Sequence, residues 1–124
     1  MGATEVPFQL IDQSIVFPVT VNGHEISCVL DTGDAIGPTF TSADAKAIGL
    51  VQGAAMGIEG AGGASSVCET TANIQVGAIA FPGEQGAIDS ELEGWSLLGL
   101  PFFAAKCARF EIDITRSQLV LIGV

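Results

Sequence analysis

Apolar and polar side chains alternate along much of this chain, and the alternation predicts strands. Residues 15–21 and 24–30 each carry such a pattern, and Asn22-Gly23 between them is a strong hairpin turn signal. Upstream, residues 4–11 predict one short strand, with Pro7 suited to the margin of a sheet. Downstream, residues 67–71 and 73–81 predict strands, the second turning at Gly77. Pro82, Gly83 and Gly86 mark residues 82–86 as a turn, followed by a short strand at Ala87-Ile88 and an acidic loop at 89–94. The apolar run 95–100 predicts a buried segment, and residues 109–114 and 118–122 predict two strands paired through 115–117. Two short helices interrupt this pattern. One spans 41–49, with Thr41 or Ser42 as its cap, Asp44 near its positive end and Gly49 as its stop. The other opens at Pro101 and runs through Lys106. Neither can stand alone, so both must pack on the sheet. The whole predicts a mainly β fold with one or two short helices.

Composition narrows the function. A chain of 124 residues holds one domain with a real core and no room for a second, so the domain is expected to span 1–124. Hydrophobic residues make up 48%, yet no apolar run reaches the length of a membrane span. No charged segment followed by an apolar stretch opens the chain, so no signal peptide is expected there. Lys and Arg number 4 against 14 Asp and Glu, a net charge of −10. Such a surface repels phosphates, so nucleic acid and anionic membranes are not expected partners. Cys28, Cys68 and Cys107 are far apart, and with the lone His24 they lack the close ligand pairs of a zinc site. No metal or other cofactor is expected. Cys28 alternates with Ile26 and Leu30, which fits the inner face of a strand, and His24 fits the surface beside the hairpin turn. Residues 53–63 are rich in glycine but lack the Lys and the Ser or Thr of a phosphate loop. By composition they read as a flexible surface loop.

The chemistry concentrates in Val29-Leu30-Asp31-Thr32-Gly33-Asp34-Ala35. Apolar Val29 and Leu30 bury a strand end, so Asp31 emerges at its tip on a fixed support. Thr32 can hydrogen-bond locally and stiffen the turn. Gly33 leaves room for a tight bend and turns its N–H towards the carboxylate.

Leu30-Asp31-Thr32-Gly33 resembles the active-site signature of the retropepsin-like aspartic proteases. The run from Phe17 to Ile26 resembles the hairpin leading into that signature, Leu97-Leu98-Gly99 resembles its second landmark, and residues 108–121 resemble its closing strands. The resemblance implies a closed β-barrel of the acid-protease lobe type and an aspartic endopeptidase. It implies Asp31 as the catalytic carboxylate, Thr32 and Gly33 as the residues that hold its geometry, and a flap around Met56 to Gly63 that presents Met56, Gly57, Ile58, Glu59 and Gly60. Those flap residues, with Asp34 and Ala35, would contact a polypeptide substrate. Only one Asp-Thr-Gly is present, and Asp12, Asp34, Asp44, Asp89 and Asp113 lack a following Thr-Gly or Ser-Gly. The second carboxylate must then come from a second copy, so a homodimer is implied, with the strands near 6–10 and 119–122 as candidates for a shared sheet. Asp34 departs from the Ala or Ser usual at its position. Its charge beside the dyad would raise the dyad's proton affinity and so alter the pH optimum, weaken the dimer or spoil the activity, unless the side chain points to solvent. The alternative reading is therefore an inactive module of the same fold that dimerises or binds peptides.

Overall fold

The structure is a computed structural model that describes residues 2–33, 37–56 and 66–124. Among the described residues, ten strands and two helices follow one another: β1 (Ala3–Pro7), β2 (Gln9–Ile11), β3 (Ser14–Val21), β4 (His24–Asp31), β5 (Thr39–Thr41), α1 (Ser42–Ile48), β6 (Val67–Val76), β7 (Ile79–Asp89), β8 (Ser96–Gly99), α2 (Leu100–Lys106), β9 (Arg109–Asp113) and β10 (Gln118–Ile122). The larger sheet runs β2-β3-β4-β8-β5-β7-β6, and β3 also pairs with β6. That last pairing, Thr20 with Gln75 and Val21 with Ile74, closes a barrel of 6 strands. A smaller antiparallel sheet, β1-β10-β9, carries both chain ends.

The period-two pattern explains the core. Phe17, Val19 and Val21 on β3, Cys28 on β4, Thr70, Ala72, Ile74 and Val76 on β6, and Leu119 and Leu121 on β10 all point inward. Phe103 of α2 is fully buried, stacked on Phe110 with ring centres 4.5 Å apart and tilted against Phe17 at 6.1 Å. Helix α1 starts and stops as its residues dictate. Thr41 Oγ1 accepts the Asp44 N–H at 3.0 Å, and Gly49 adopts φ 84° while its N–H donates to the Ala45 carbonyl. Asn22-Gly23 forms its turn with both residues at positive φ, 49° and 83°, as a two-residue hairpin requires.

Long-range bonds redraw three of the predicted elements. Residues 4–11 are two strands, not one: Phe8 is buried, donates its N–H to the Ser117 carbonyl, and passes the chain from the small sheet to the barrel. The predicted break near Ala72 and the predicted turn at 82–86 lie inside the long antiparallel pair β6–β7, which turns at Gly77 with φ 58°. Its register shifts between Ala72 and Ile74, where Pro82 and Gly83 oppose Asn73. Asn73 Oδ1 takes the Gly83 N–H at 2.9 Å, so Pro-Gly makes a bulge rather than a reversal. The last hairpin turns one residue earlier than its pattern predicts. Ile114 lies outside β9, 62% exposed.

His24 is exposed and Cys28 is buried, as their positions in the pattern predict. Among the described residues, no helix is long and apolar enough to cross a membrane.

Candidate active site

Asp31 is the last residue of β4. β8 lies parallel beside it, pairing Leu30 with Leu98 and Asp31 with Gly99. Two apolar residues and a glycine in β8 thus lie next to the acid: Leu98 is 1% exposed, Gly99 is buried and Leu97 is half-buried. Asp31 itself is half-buried, and the Gly33 N–H donates to its Oδ1 at 2.8 Å. Among the described residues, no cation pairs with it. The arrangement presents a supported carboxylate, steered by one backbone donor and left available for acid–base work.

Thr32 is exposed and its hydroxyl bonds to no described residue, so the local brace at the loop is the Gly33 N–H. The chain bends at Gly33, as expected. The φ of Gly33 is not positive, and a Cβ built there would lie 3.5 Å from Asp31 Oδ1, an ordinary contact. Among the described residues, nothing stands in the way of a methyl group at residue 33. Asp34 and Ala35 lie outside the described residues, as do Gly57, Ile58, Glu59 and Gly60.

What the structure does describe of the glycine-rich segment is its base. The Gly53 N–H donates to the Glu69 carbonyl at 2.7 Å, the Glu69 N–H to the Ala54 carbonyl at 2.8 Å, and the Met56 N–H to the Val67 carbonyl at 2.8 Å. Ala55 bridges Cys68 antiparallel. Met56 therefore ends a rung of an antiparallel pair whose arms lead into and out of residues 57–65. Gly53 fits there by close approach, since a Cβ would come 3.0 Å from the Glu69 carbonyl oxygen. Thr70 Oγ1, bonded to the Val51 carbonyl at 2.9 Å, fastens the base to the barrel.

One support of the site is absent from the sequence reading. Ser96, directly before Leu97-Leu98-Gly99, is fully buried; its hydroxyl donates to Asp44 Oδ2 at 2.5 Å and accepts the Thr41 N–H at 3.1 Å. α1, β5 and β8 are thereby tied together next to β4. The only sequence signal is a serine inside an apolar run. Asp44 also adds its negative charge near Cys28, whose thiol is pushed up chiefly by burial and secondarily by that charge.

No family model and no curated protein sequence matches the chain. Solved structures do match. A retropepsin-like aspartic protease from Rickettsia conorii superposes with a TM-score of 0.71 at 22% identity, over 97% of this chain and 89% of that one. The retroviral protease-like domain of Ddi1 from Leishmania major superposes with a TM-score of 0.63 at 14% identity, over 87% and 86%. The EIAV protease, in complex with an inhibitor, superposes with a TM-score of 0.57 at 18% identity, over 78% and 91%. The chain has the retropepsin-like fold of the aspartic proteases.

Proposed function

We propose that this protein is an aspartic endopeptidase that works as a homodimer, with one Asp31 from each copy. The observation that carries the reading is the placement of Asp31: half-buried at the end of β4, beside Gly99, and oriented by the Gly33 N–H, in a retropepsin-like fold. A lone carboxylate at that spot can accept a proton but has no partner to donate one. The chain offers no second Asp-Thr-Gly, so the partner is a second copy.

In the manner general to aspartic proteases, the two carboxylates share one proton because like charges in contact do not both ionise. The ionised Asp31 takes a proton from a water molecule, whose oxygen bonds to the peptide carbonyl carbon. The protonated Asp31 gives its proton to the carbonyl oxygen. Breakdown of the resulting diol cleaves the C–N bond, and the leaving nitrogen takes a proton as the dyad returns to its starting state. The segment from Met56 through Gly63 would close over an extended polypeptide held by strand-like backbone bonds, with Asp34 and Ala35 against the substrate. The space at Gly33 is what a second acid loop packed against the first would occupy. The Asp34 carboxylate would raise the proton affinity of the dyad.

Incubation with an unstructured polypeptide at acid and neutral pH, beside Asp31→Asn protein and a transition-state peptide inhibitor, tests this reading. Cleavage that the inhibitor blocks and the Asp31→Asn protein lacks is the expected result, with a loss of about 10²–10⁴-fold or more. Cleavage that persists in the variant points to a contaminating protease. A dimer that binds the inhibitor yet cuts nothing identifies a peptide-binding module instead.

A further inference from the structure

The β2–β3 hairpin has no part in the chemistry described so far. Its turn is Asp12-Gln13, both in left-handed backbone at φ 49° and 67°, a conformation uncommon for residues with side chains. Asp12, Gln13 and Gln9 are exposed, and Leu10 is 61% exposed although apolar. β2 ends the larger sheet: among the described residues it pairs with β3 and has no neighbour on its other side. Its outer backbone edge is therefore open.

Strand register shows where this hairpin stands. β3 and β4 pair antiparallel as far as Val16 with Val29. Two steps further, the same register brings Ser14 level with Asp31. β2 doubles back from that point, with Ile11 opposite Ser14. The Asp12-Gln13 turn thus rises beside the end of β4 that carries the acid, and Asn22-Gly23 occupies the opposite end of the β3–β4 pair.

Charge gives the hairpin a direction. Among the described residues no ion pair involves Asp12. Of the chain's 4 cations, Lys106 pairs with Glu84, Arg109 with Glu111, and Arg116 with Glu5 and Asp113. Only Lys46, exposed on α1, is without an ion pair among the described residues, against a net charge of −10. A polypeptide approaching Asp31 enters a negative field that little opposes, and Asp12 at the hairpin turn adds to it.

We infer that the β2–β3 hairpin is a specificity element of the cleft and that the substrates are cationic polypeptides. The open edge of β2 pairs with the extended substrate backbone, Leu10 gives it an apolar contact, and Asp12 selects a Lys or Arg side chain. The inference rests on the proposed peptidase reading, because it takes the ligand of the Asp31 cleft to be a polypeptide.

The test uses three unstructured peptides of matched apolar content: one Lys-rich, one Glu-rich and one uncharged. kcat/KM is measured for the wild type and for Asp12→Lys at about 50 mM and about 500 mM salt. Binding of the same peptides to Asp31→Asn protein, with and without Asp12→Lys, is followed by fluorescence anisotropy, and the dimer by sedimentation. The wild type is expected to favour the Lys-rich peptide at low salt. Asp12→Lys is expected to cut that preference roughly fivefold, through KM, while sedimentation stays unchanged. Equal use of Lys-rich and Glu-rich peptides by the wild type overturns the inference. So does a preference indifferent to Asp12→Lys, or a shift of the dimer by that variant, which makes the hairpin a contact between chains. Failure to cleave any of the three counts against the peptidase reading alone. The anisotropy arm then decides: binding selective for the Lys-rich peptide and dependent on Asp12 upholds the inference, and unselective binding rejects it.

Discussion

At the scale of single residues, the acid is held by few bonds, and each has its own consequence. Gly33 supplies the donor to Asp31 through its backbone, which any residue but proline could do, and the described residues around it leave space for a Cβ. Gly33→Ala should therefore leave the stability of the isolated chain within about 1 kcal/mol of the wild type in chemical denaturation. The same variant should weaken dimerisation and lower activity at least about tenfold if a second acid loop packs at that spot. Full activity in Gly33→Ala would count against close approach of two loops. The surface pair of Glu5 and Arg116 gives a second residue-scale prediction. The Arg116 side chain, by hydrogen bond first and by charge second, holds the Glu5 carboxyl below its ordinary value of 4.5. A carboxyl lowered on folding stabilises the fold above its ordinary pKa, and that contribution fades as pH falls through the lowered value. An NMR titration should show Glu5 below 4.5 and should show it return to the ordinary range in Arg116→Ala. The place of Asp31 at a strand end was legible in the sequence because an apolar strand, an acid and a glycine are adjacent. The bond from Ser96 to Asp44 was not, since its partners are 52 residues apart and each looks ordinary alone.

At the scale of elements, the β6–β7 pair shows how a distant partner overrides a local signal. Pro82-Gly83 carries the chemistry of a turn, and by itself the dipeptide favours reversal. Asn73 opposite supplies the acceptor that lets the strand continue through it. The Asn73 N–H in turn donates to Asn22 Oδ1 at 2.8 Å, and the Asn22 N–H to the Asn73 carbonyl at 2.9 Å. One side chain and its backbone thus link the bulge to the β3–β4 turn, next to the seam where β3 meets β6. Asn73→Ala should cost about 1 kcal/mol in chemical denaturation and should loosen that seam first, seen as faster amide exchange at Val21 and Ile74. Unchanged exchange there would deny the bulge its role in closing the barrel. Strands with clean alternation, such as β3 and β10, were legible because burial on one face fixes period and register together. The split at Phe8 was not, because the run 4–11 is uniformly compatible with a strand and only the Ser117 carbonyl shows where it changes sheets.

At the scale of the molecule, the barrel closes on itself and leaves no edge of its own, while the outer sides of β1, β2 and β9 stay open among the described residues. Two chains of net charge −10 repel at neutral pH and low salt. Salt screens that repulsion, so the dimer should tighten with ionic strength, the reverse of what an association held by exposed ion pairs would do. The central claim is that catalysis needs one Asp31 from each of two copies. The most direct measurement mixes wild-type and Asp31→Asn protein at fixed total concentration, allows the subunits to exchange, and follows cleavage as the wild-type fraction varies. If a dyad spans two chains, mixed dimers are dead and activity follows the square of that fraction, about a quarter at an equal mixture. Activity that instead falls in proportion, to about half, would mean that each chain works alone, and the account would be wrong.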